Sequence, residues 1–463
     1  MNPVPAGWAP GSRAPNGGAD SIPRSGGHFS PRAPATVGQH NKLQPPRRRD
    51  ARASILYVHH GQDWIRGSER CLLELVKHLD GSRFRAVLLT DSDTLASHAE
   101  DLGATVYRHR DVAGPDQFLP ARTLVGAARS IVRAHSIRLI HANSLETVKW
   151  LLPAARSAAI PMLVHVHSQS TESERCYGWL HQAGMIVGAS AAALRGFVDD
   201  GTPVRRLRVV HNGVDPERLE TGDAMDLRAR LGIRPDEIVM TAVGSLIERK
   251  GQDVLLAAVA ELHRSSLRYR LLIVGSGPER AALEARARTL GIEAIVHFLG
   301  ERTDVGAILR HATDIAVSAA HAEAFPLNVL EAAFCGRPVV ASAIPAHAEA
   351  VVDGETGLLV PDNDPSALAR AIERLTADPG LRRRYGDAGK RRVEKHFLAT
   401  RYVAGFQEVY DELLSGPRWR WGWWAGWVWP SVYTRWAMRG IKRRLAMVRR
   451  RALVPGQHAK GRT

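Results

Sequence analysis

Short apolar runs alternate with amphipathic stretches along most of the chain, and this alternation sets the fold prediction. The pattern begins with the buried-type run Ser54–Val58. In the first half the predicted strands are Phe84–Leu89, Ala104–Tyr107, Arg138–His141, Met162–Val166 and Met185–Val187, and the predicted helices lie near 68–79, 122–135, 146–158 and 189–199. Such alternation is typical of a parallel sheet with helices on both faces.

A turn segment at His211–Pro216 divides the pattern into two halves, because Asn-Gly and Asp-Pro are strong turn signals. The alternation then restarts with predicted strands Ile238–Val243, Tyr269–Val274, Ala294–Phe298, Asp314–Ser318 and Pro338–Ala341, and with predicted helices near 252–264, 279–290, 326–335 and 365–414. We therefore predict an α/β protein with two Rossmann-like, doubly wound parallel-sheet domains. Ligands of such sheets bind at the carboxyl ends of the strands, so two facing domains would share a cleft.

Charge separates the ends of the chain from its body. The net charge is +16, of which residues 417–463 carry +12 and residues 1–53 carry +6, leaving −2 for residues 54–416. The body therefore lacks the basic surface of a nucleic-acid binder. We predict a disordered leader at 1–50, rich in Pro, Gly and Arg, then a first domain at 51–220, a second at 221–416 and a basic tail at 417–463.

The tail contains seven of the eleven tryptophans, between Trp419 and Trp436, and residues 431–454 show a basic and an apolar helical face. Indole rings prefer the membrane interface, so the tail predicts binding to an anionic membrane surface and not to nucleic acid. The alternative is a solvated basic extension. Three widely spaced cysteines, no signal-peptide pattern and no apolar run of membrane-spanning length predict a cytoplasmic protein, peripheral on the inner face of the cell membrane.

The strongest chemical signal is the segment 321–333, in which seven residues separate two carboxylates, Glu323 and Glu331. Pro326 suits a first helical residue, which would place Glu323 in a loop and Glu331 in a helix. Exposed amides at the start of that helix would favour a phosphate, and the carboxylates could accept hydrogen bonds from sugar hydroxyls. The segment therefore predicts a nucleotide-sugar site. The alternative without a binding role is a solvated loop acid and a solvated helix acid.

A second signal is Gly244-Ser-Leu-Ile-Glu-Arg-Lys-Gly251, which follows a predicted strand and opens a helix. A fixed Arg249–Lys250 pair would stabilise the charge of a departing diphosphate. Since cations are unfavourable at a helix start, an ordinary surface role is the weaker interpretation. A third glycine turn, at Gly275-Ser-Gly277, is weak evidence by itself.

Asp91-Ser92-Asp93 could in principle hold a divalent metal on a diphosphate. It precedes a predicted helix, so helix capping by Asp is the better interpretation. We therefore predict no cofactor and no essential metal, because Arg249 and Lys250 can take its place. Asn143, at a strand end, could line the site, although such an Asn is more often a turn residue.

Together these segments closely resemble the family-4 retaining glycosyltransferases, which have the B-type fold. The resemblance runs from about Ser54 to about residue 412 and rests on Glu323 with Glu331, Arg249–Lys250, the Gly275 turn and the His211 segment. It implies that residues 51–220 form the acceptor-side domain and 221–416 the donor domain. The implied substrates are a nucleotide-sugar donor and a glycan or lipid-linked acceptor.

The resemblance also implies roles for individual residues. Arg249 and Lys250 would hold the diphosphate, Glu323 would contact the donor sugar, and Glu331 would bind the ribose. The remaining implied donor-binding positions are Gly67, Gly244, Gly275, Phe325, Leu327 and Asn328. His167 matches a histidine beside the reaction centre, with His165 two residues away as the alternative, and either could instead be a core histidine.

The predicted function is thus transfer of a sugar from a nucleotide diphosphate to a hydroxyl acceptor with retained configuration, in lipid-linked glycan or surface polysaccharide synthesis. No enzymatic nucleophile is evident, which favours front-face substitution. Two alternatives from other classes are a sugar-nucleotide epimerase, which needs no acceptor, and a non-catalytic sugar-nucleotide-binding membrane scaffold.

Overall fold

The computed structural model describes residues 51–108, 121–177, 179–264 and 268–416, and it confirms the predicted α/β class with two parallel sheets. The predictions for the leader at 1–50 and the tail at 417–463 lie outside the described residues. Among the helices described, none is both long enough and apolar enough to cross a membrane.

The first sheet is parallel throughout, and its described strands follow the order β3-β2-β1-β4-β5-β6-β7. Its strands are β1 Ala53–His59, β2 Phe84–Thr90, β3 Thr105–Arg108, β4 Ile137–Ala142, β5 Met162–Val166, β6 Met185–Gly188 and β7 Leu207–Val209. Its helices are α1 Gly67–His78, α2 Asp93–Asp101, α3 Ala121–Ala134, α4 Val148–Ala158, α5 Glu172–Tyr177 and α6 Ala191–Asp199. All seven residues of β1 are buried, because helices cover both faces of the sheet.

The second sheet repeats this arrangement in the order β10-β9-β8-β11-β12-β13. Its strands are β8 Ile238–Val243, β9 Tyr269–Val274, β10 Val296–Gly300, β11 Ile315–Ser318, β12 Val339–Ser342 and β13 Gly357–Val360. The helices that follow the first sheet are α7 Pro216–Glu220, α8 Leu227–Arg230, α9 Gln252–His263, α10 Arg280–Thr289, α11 Val305–Ala307, α12 Leu327–Phe334, α13 Pro345–Ala350, α14 Pro365–Ala377, α15 Pro379–His396 and α16 Ala399–Ser415.

The last described helix, α16, returns to the first sheet although its sequence falls within the predicted second domain. The hydroxyl of Tyr410 lies 2.8 Å from Nδ1 of His141 on β4 and donates to the hydroxyl of Tyr57 on β1 at 3.2 Å. Phe406 stacks on the His141 ring with centroids 5.1 Å apart. The chain therefore ties its two halves together twice, once through 210–220 and once through α16.

A carboxylate of the second half also caps a helix of the first. Glu349 on α13 accepts from the backbone N–H groups of Ala191 and Ala192, each at 3.1 Å, at the start of α6. The same carboxylate lies 2.9 Å from Nε2 of His211. A carboxylate at a helix N-terminus interacts favourably with the helix dipole and with unpaired amides. This contact holds the facing ends of the two sheets beside the connecting segment.

Candidate functional site

The predicted site residues lie where the strand order of each sheet reverses. In the first sheet the order reverses between β1 and β4, and in the second between β8 and β11. His59 ends β1 and Asn143 follows β4 in the first half, and Lys250 and Glu323 lie in the loops after β8 and β11 in the second. Ligands of doubly wound sheets bind in the crevice at this reversal, outside the carboxyl ends of the strands.

Glu323 is held by both cations of the Arg249–Lys250 pair. Nη1 of Arg249 donates to Oε2 of Glu323 at 3.1 Å and to the carbonyl oxygen of Ala322 at 3.1 Å. Nζ of Lys250 forms an ion pair with Oε1 of the same carboxylate. The Glu323 side chain is 8% exposed and that of Arg249 is 51% exposed. The structure thus brings the three predicted residues together, with the carboxylate buried and the guanidinium partly facing solvent.

Two glycines let the loops of this half approach closely. Gly251 has φ +61°, and a Cβ there would lie 2.0 Å from the carbonyl oxygen of Ala319, in the loop after β11. Gly275 has φ +140°, and its Cβ would lie 2.0 Å from the carbonyl oxygen of Gly244. Only glycine accepts such a conformation and contact readily. The loop 244–251 is therefore pressed between the loops after β9 and β11, which fixes Lys250 beside Glu323.

The start of α12 carries three residues predicted to bind the donor. The helix begins at Leu327, with Pro326 at the capping position and not at the first helical position as predicted. The backbone N–H groups of Leu327 and Asn328 donate to no acceptor within the described part of the chain, as is usual in a first turn. The Asn328 side chain donates to the Val243 carbonyl at 3.0 Å, and the buried Phe325 ring lies 4.7 Å from that of His211. The free amides could receive a phosphate.

Glu331 lies inside α12, as predicted, and its partner comes from the segment that connects the halves. Arg218 on α7 forms an ion pair with Oε1 of Glu331, whose side chain is 9% exposed. Arg70 on α1 is also close enough to interact with this carboxylate, although burial is the larger influence and lowers the pKa of Arg70. Glu331 therefore sits where α1, α7 and α12 meet, with one carboxylate oxygen engaged by Arg218.

The first half supplies a chain of hydrogen bonds that ends at His167. Nε2 of His167 lies 2.9 Å from Oδ1 of Asn143, and Nδ2 of Asn143 lies 3.0 Å from Nδ1 of His59. Nε2 of His59 lies 2.8 Å from Oε1 of Glu69, near the start of α1. His59, Asn143 and Glu69 are all buried. Gly67 begins α1, and a Cβ there would meet no atom within 4 Å, so packing alone does not require glycine.

The structure also separates the two histidines that the sequence left as alternatives. His165 lies within β5, is fully buried, and both of its ring nitrogens lack a hydrogen-bond partner among the described residues. His167 follows the strand, is half-buried and reaches Asn143. Burial and the nearby His59 lower the pKa of His167 to about 3, with Glu69 acting in the opposite direction. His167 is therefore neutral near pH 7 and is the histidine at the strand end.

The Asp91–Asp93 segment is explained by local structure. Ser92, and not an Asp as predicted, caps α2 by accepting from the backbone N–H of Leu95 at 3.0 Å. Asp91 accepts from the backbone N–H of Gly61 at 3.1 Å. The prediction that this segment caps a helix is confirmed, but the capping residue is Ser92 and not an Asp. The absence of an essential metal stays a prediction.

Elsewhere in the described residues, Glu74, His78 and Asp215 place possible metal-ligand atoms within 4.8 Å of one another. Nζ of Lys77 already lies 2.7 Å from Oδ2 of Asp215 and 2.7 Å from Glu217. The ammonium group of Lys77 therefore already pairs with one side of this cluster.

Sequence reasoning missed several residues of the site. Arg218, His59, Glu69 and Arg70 were not among the candidates, and Asn143 was set aside as a turn residue. A usable signal existed for His59 and Asn143, because both follow the two central strands of the first sheet, where its order reverses. The pairing of Arg218 with Glu331 spans 113 residues and has no local signal.

Comparison with known proteins agrees with this geometry. Residues 223–392 match the family profile described as Glycosyl transferases group 1, and residues 65–218 match Glycosyltransferase Family 4. A D-inositol 3-phosphate glycosyltransferase of Frankia alni is 39% identical over 335 residues, covering 63% of this chain and 81% of that protein. A protein of the same name from Streptomyces bingchenggensis is 29% identical, covering 82% of this chain and 93% of that protein.

Solved structures share the fold. Anabaena Alr3699/HepE in complex with UDP and glucose superimposes with a TM-score of 0.69 at 23% identity, covering 78% of this chain and all of that chain. A sucrose-phosphate synthase from Thermosynechococcus elongatus gives a TM-score of 0.64 at 25% identity, with 79% and 100% coverage.

Two facing doubly wound sheets, with cations, a buried carboxylate and free helix amides at the point where the strand order reverses, define a glycosyltransferase of the B-type fold. With the family profiles and the Frankia relative beside this geometry, the chain belongs to glycosyltransferase family 4.

Proposed function

We propose that the protein transfers a sugar from a UDP-linked donor to a hydroxyl acceptor and retains the anomeric configuration. The observation that carries the proposal is the buried Glu323, gripped by Arg249 and Lys250 beside the free amides of α12. Such a site offers amides and cations to a diphosphate and a carboxylate to sugar hydroxyls. The choice of UDP is supported by the neighbouring folds, whose structures hold UDP or UDP-glucose.

The mechanism we propose is front-face substitution. The bond between the anomeric carbon and the phosphate oxygen breaks, the acceptor oxygen bonds to the same face of that carbon, and the acceptor proton passes to the departing phosphate. Two carboxylates at the site are already engaged, Glu323 by two cations and Glu69 by His59. Neither is free to act as a nucleophile, so the protein would contribute positioning and charge stabilisation.

The test is release of the nucleoside diphosphate from a panel of UDP-, GDP- and ADP-sugars, with and without acceptor, in wild type and in Glu323→Gln. We expect release with one base class only when acceptor is present, and at least about a 100-fold lower kcat in Glu323→Gln, a loss of the size seen when an electrostatic contact to the transition state is removed. Glu293→Gln is the matched control and should match wild type, because Glu293 is exposed and precedes β10, at the end of the strand opposite the site. Release or isomerisation without acceptor would favour an epimerase.

Retention is checked separately by the anomeric coupling constant of the product. A trapped glycosyl–enzyme adduct would contradict the front-face mechanism. The acceptor panel pairs inositol 3-phosphate, from the names of the relatives, with polyprenyl-linked sugars. Turnover of the latter alone supports a role in lipid-linked glycan or surface polysaccharide synthesis.

We further propose that residues 417–463 bind an anionic membrane surface on the cytoplasmic side. The support is their composition, +12 with seven tryptophans. Sedimentation with acidic liposomes should be strong for the full chain and lost in a 1–416 truncation. Equal sedimentation of the full chain and the truncation would refute membrane binding by the tail. Sedimentation of the full chain with neutral liposomes would indicate that the tryptophans, and not the charge, bind the membrane.

A further inference from the structure

We propose that Asn143, His59 and Glu69 form a positioning relay that fixes which ring nitrogen of His167 carries the proton. The consequence for catalysis rests on the function proposed above, whereas the tautomer itself can be observed without any substrate. The relay consists of three consecutive hydrogen bonds of 2.9, 3.0 and 2.8 Å that run from His167 to Glu69.

The orientation of the Asn143 amide sets the direction of the relay. Its Nδ2 lies 3.3 Å from the backbone carbonyl oxygen of Ser68, which can only accept. The NH₂ group must therefore point toward Ser68 and His59, and Oδ1 must point toward His167. Since the NH₂ group also donates to Nδ1 of His59, that nitrogen carries no proton. A neutral His59 then carries its proton on Nε2.

Glu69 holds the other end of the relay. The Nε2–H of His59 donates to Oε1 of Glu69, which also accepts from the Ser68 hydroxyl at 3.1 Å. Oε2 accepts from the backbone N–H of Arg66 at 3.0 Å. Burial acts to raise the pKa of Glu69, but the hydrogen bond from His59 and the backbone N–H groups of Glu69 and Arg66 lower it to about 2. The carboxylate therefore stays ionised and anchors the His59 proton on Nε2.

At the cleft end, Oδ1 of Asn143 can only accept, so His167 donates through Nε2 and leaves Nδ1 with a lone pair. The hydrogen bond found for the His167 ring among the described residues is the one at Nε2. His167 directly follows the carboxyl end of β5, on the ligand side of the sheet. The relay therefore presents a neutral hydrogen-bond acceptor to the cleft, suited to a sugar hydroxyl and unsuited to a phosphate oxygen.

The direct test is long-range 1H–15N correlation on the full chain labelled with 15N-histidine, with His167 and His59 assigned by substitution to Gln. We expect both rings to carry the proton on Nε2 in the wild type. In Asn143→Asp the carboxylate can no longer donate, so Nδ1 of His59 should gain a proton while Glu69 keeps the proton on Nε2, and His167 keeps its proton on Nε2. A wild-type His167 protonated on Nδ1, or a His59 whose Nδ1 stays unprotonated in Asn143→Asp, would overturn the proposal.

Kinetics give a second readout that a general loss of structure would not produce. Asn143→Ala should lower kcat/KM by about 10-fold or more, the size typical of losing a partner that orients a functional histidine, while the Kd for UDP stays at the wild-type value, because the proposed UDP site lies in the second half. The matched control is His135→Gln, which removes a 2.6 Å hydrogen bond to Tyr107 in the same half. An equal loss of kcat/KM in Asn143→Ala and His135→Gln, or a weaker Kd for UDP in Asn143→Ala, would show that Asn143 acts only through packing and would refute the relay.

Discussion

Replacing Glu74 by Gln should stabilise the protein by an amount that grows as the pH rises from about 4.5 to about 7. Glu74 lies on α1 and is buried, with Oε2 at 3.4 Å from Nε2 of His78. Burial, followed by the charge of Asp215, raises the pKa of Glu74 to about 7 from a usual 4.5, although Arg218 and Lys77 act to lower it. The folded protein therefore holds a proton on Glu74 at pH values where the unfolded chain releases it.

The sign and size of the effect follow from this difference. The folded pKa lies above the unfolded pKa, so the contribution of Glu74 to stability is fully present below about pH 4.5 and is lost as the pH rises through 7. A change in pKa from 4.5 to about 7 corresponds to about 3 kcal/mol. Gln is uncharged at every pH and mimics the protonated acid. Glu74→Gln should therefore match wild type near pH 4.5 and exceed it by up to about 3 kcal/mol at pH 8.5.

The assay is urea unfolding of wild type and variant at pH 5, 7 and 8.5. Glu284→Gln is the control, because Glu284 forms an exposed ion pair with Arg280 at 2.8 Å on α10. Its effect should stay within about 0.5 kcal/mol at all three values. A Glu74→Gln variant whose advantage does not grow with pH would show that Glu74 is ionised in the folded protein.

Two further predictions concern backbone approach and buried charge. In thermal unfolding, Gly251→Ala should destabilise the protein by about 3 kcal/mol or more, because the new Cβ would collide with the carbonyl oxygen of Ala319. Gly291→Ala is the control: Gly291 also has a positive φ, +70°, but has open space around it, so this substitution should cost about 1 kcal/mol. Arg218→Ala should lower the free energy of unfolding by about 3 kcal/mol, because it leaves Glu331 buried without its partner. The double variant Arg218→Ala with Glu331→Gln should recover most of that loss. A double variant no more stable than Arg218→Ala would refute this explanation.

The sequence predicted the architecture because its information is local and repeated. Every predicted strand appears within about two residues of its expected bounds, and the division at His211–Pro216 falls between the two sheets. The short strands β7 and β13 were missed, although the four-residue strands β3, β6, β11 and β12 were predicted, so length alone does not explain the omission. The packing of α16 on the first sheet was missed for a different reason. An apolar helical face shows that it is buried but does not show against which sheet.

The candidate site was predictable where chemistry and loop position coincide. Glu323, Lys250 and Arg249 come together because their loops follow two neighbouring strands of one parallel sheet. The sequence predicted the parallel, doubly wound sheet but not the order of its strands. Arg218 could not be found this way, because its approach to Glu331 depends on the relative placement of the two halves. Asn143 could have been kept as a candidate, because ligands of a doubly wound sheet bind beside the strand ends where the strand order reverses.

The two halves meet the cleft with different chemistry, and this difference limits what each can bind. The second half presents Arg249, Lys250 and the amides of α12, which favour an anion. The first half holds the ionised carboxylate of Glu69 in a buried hydrogen-bond chain that ends at a neutral imidazole, His167. If the proposed function holds, we expect a substrate with a charged end and a hydroxyl-rich end to bind in one orientation, with the charge on the second half and the hydroxyls facing His167.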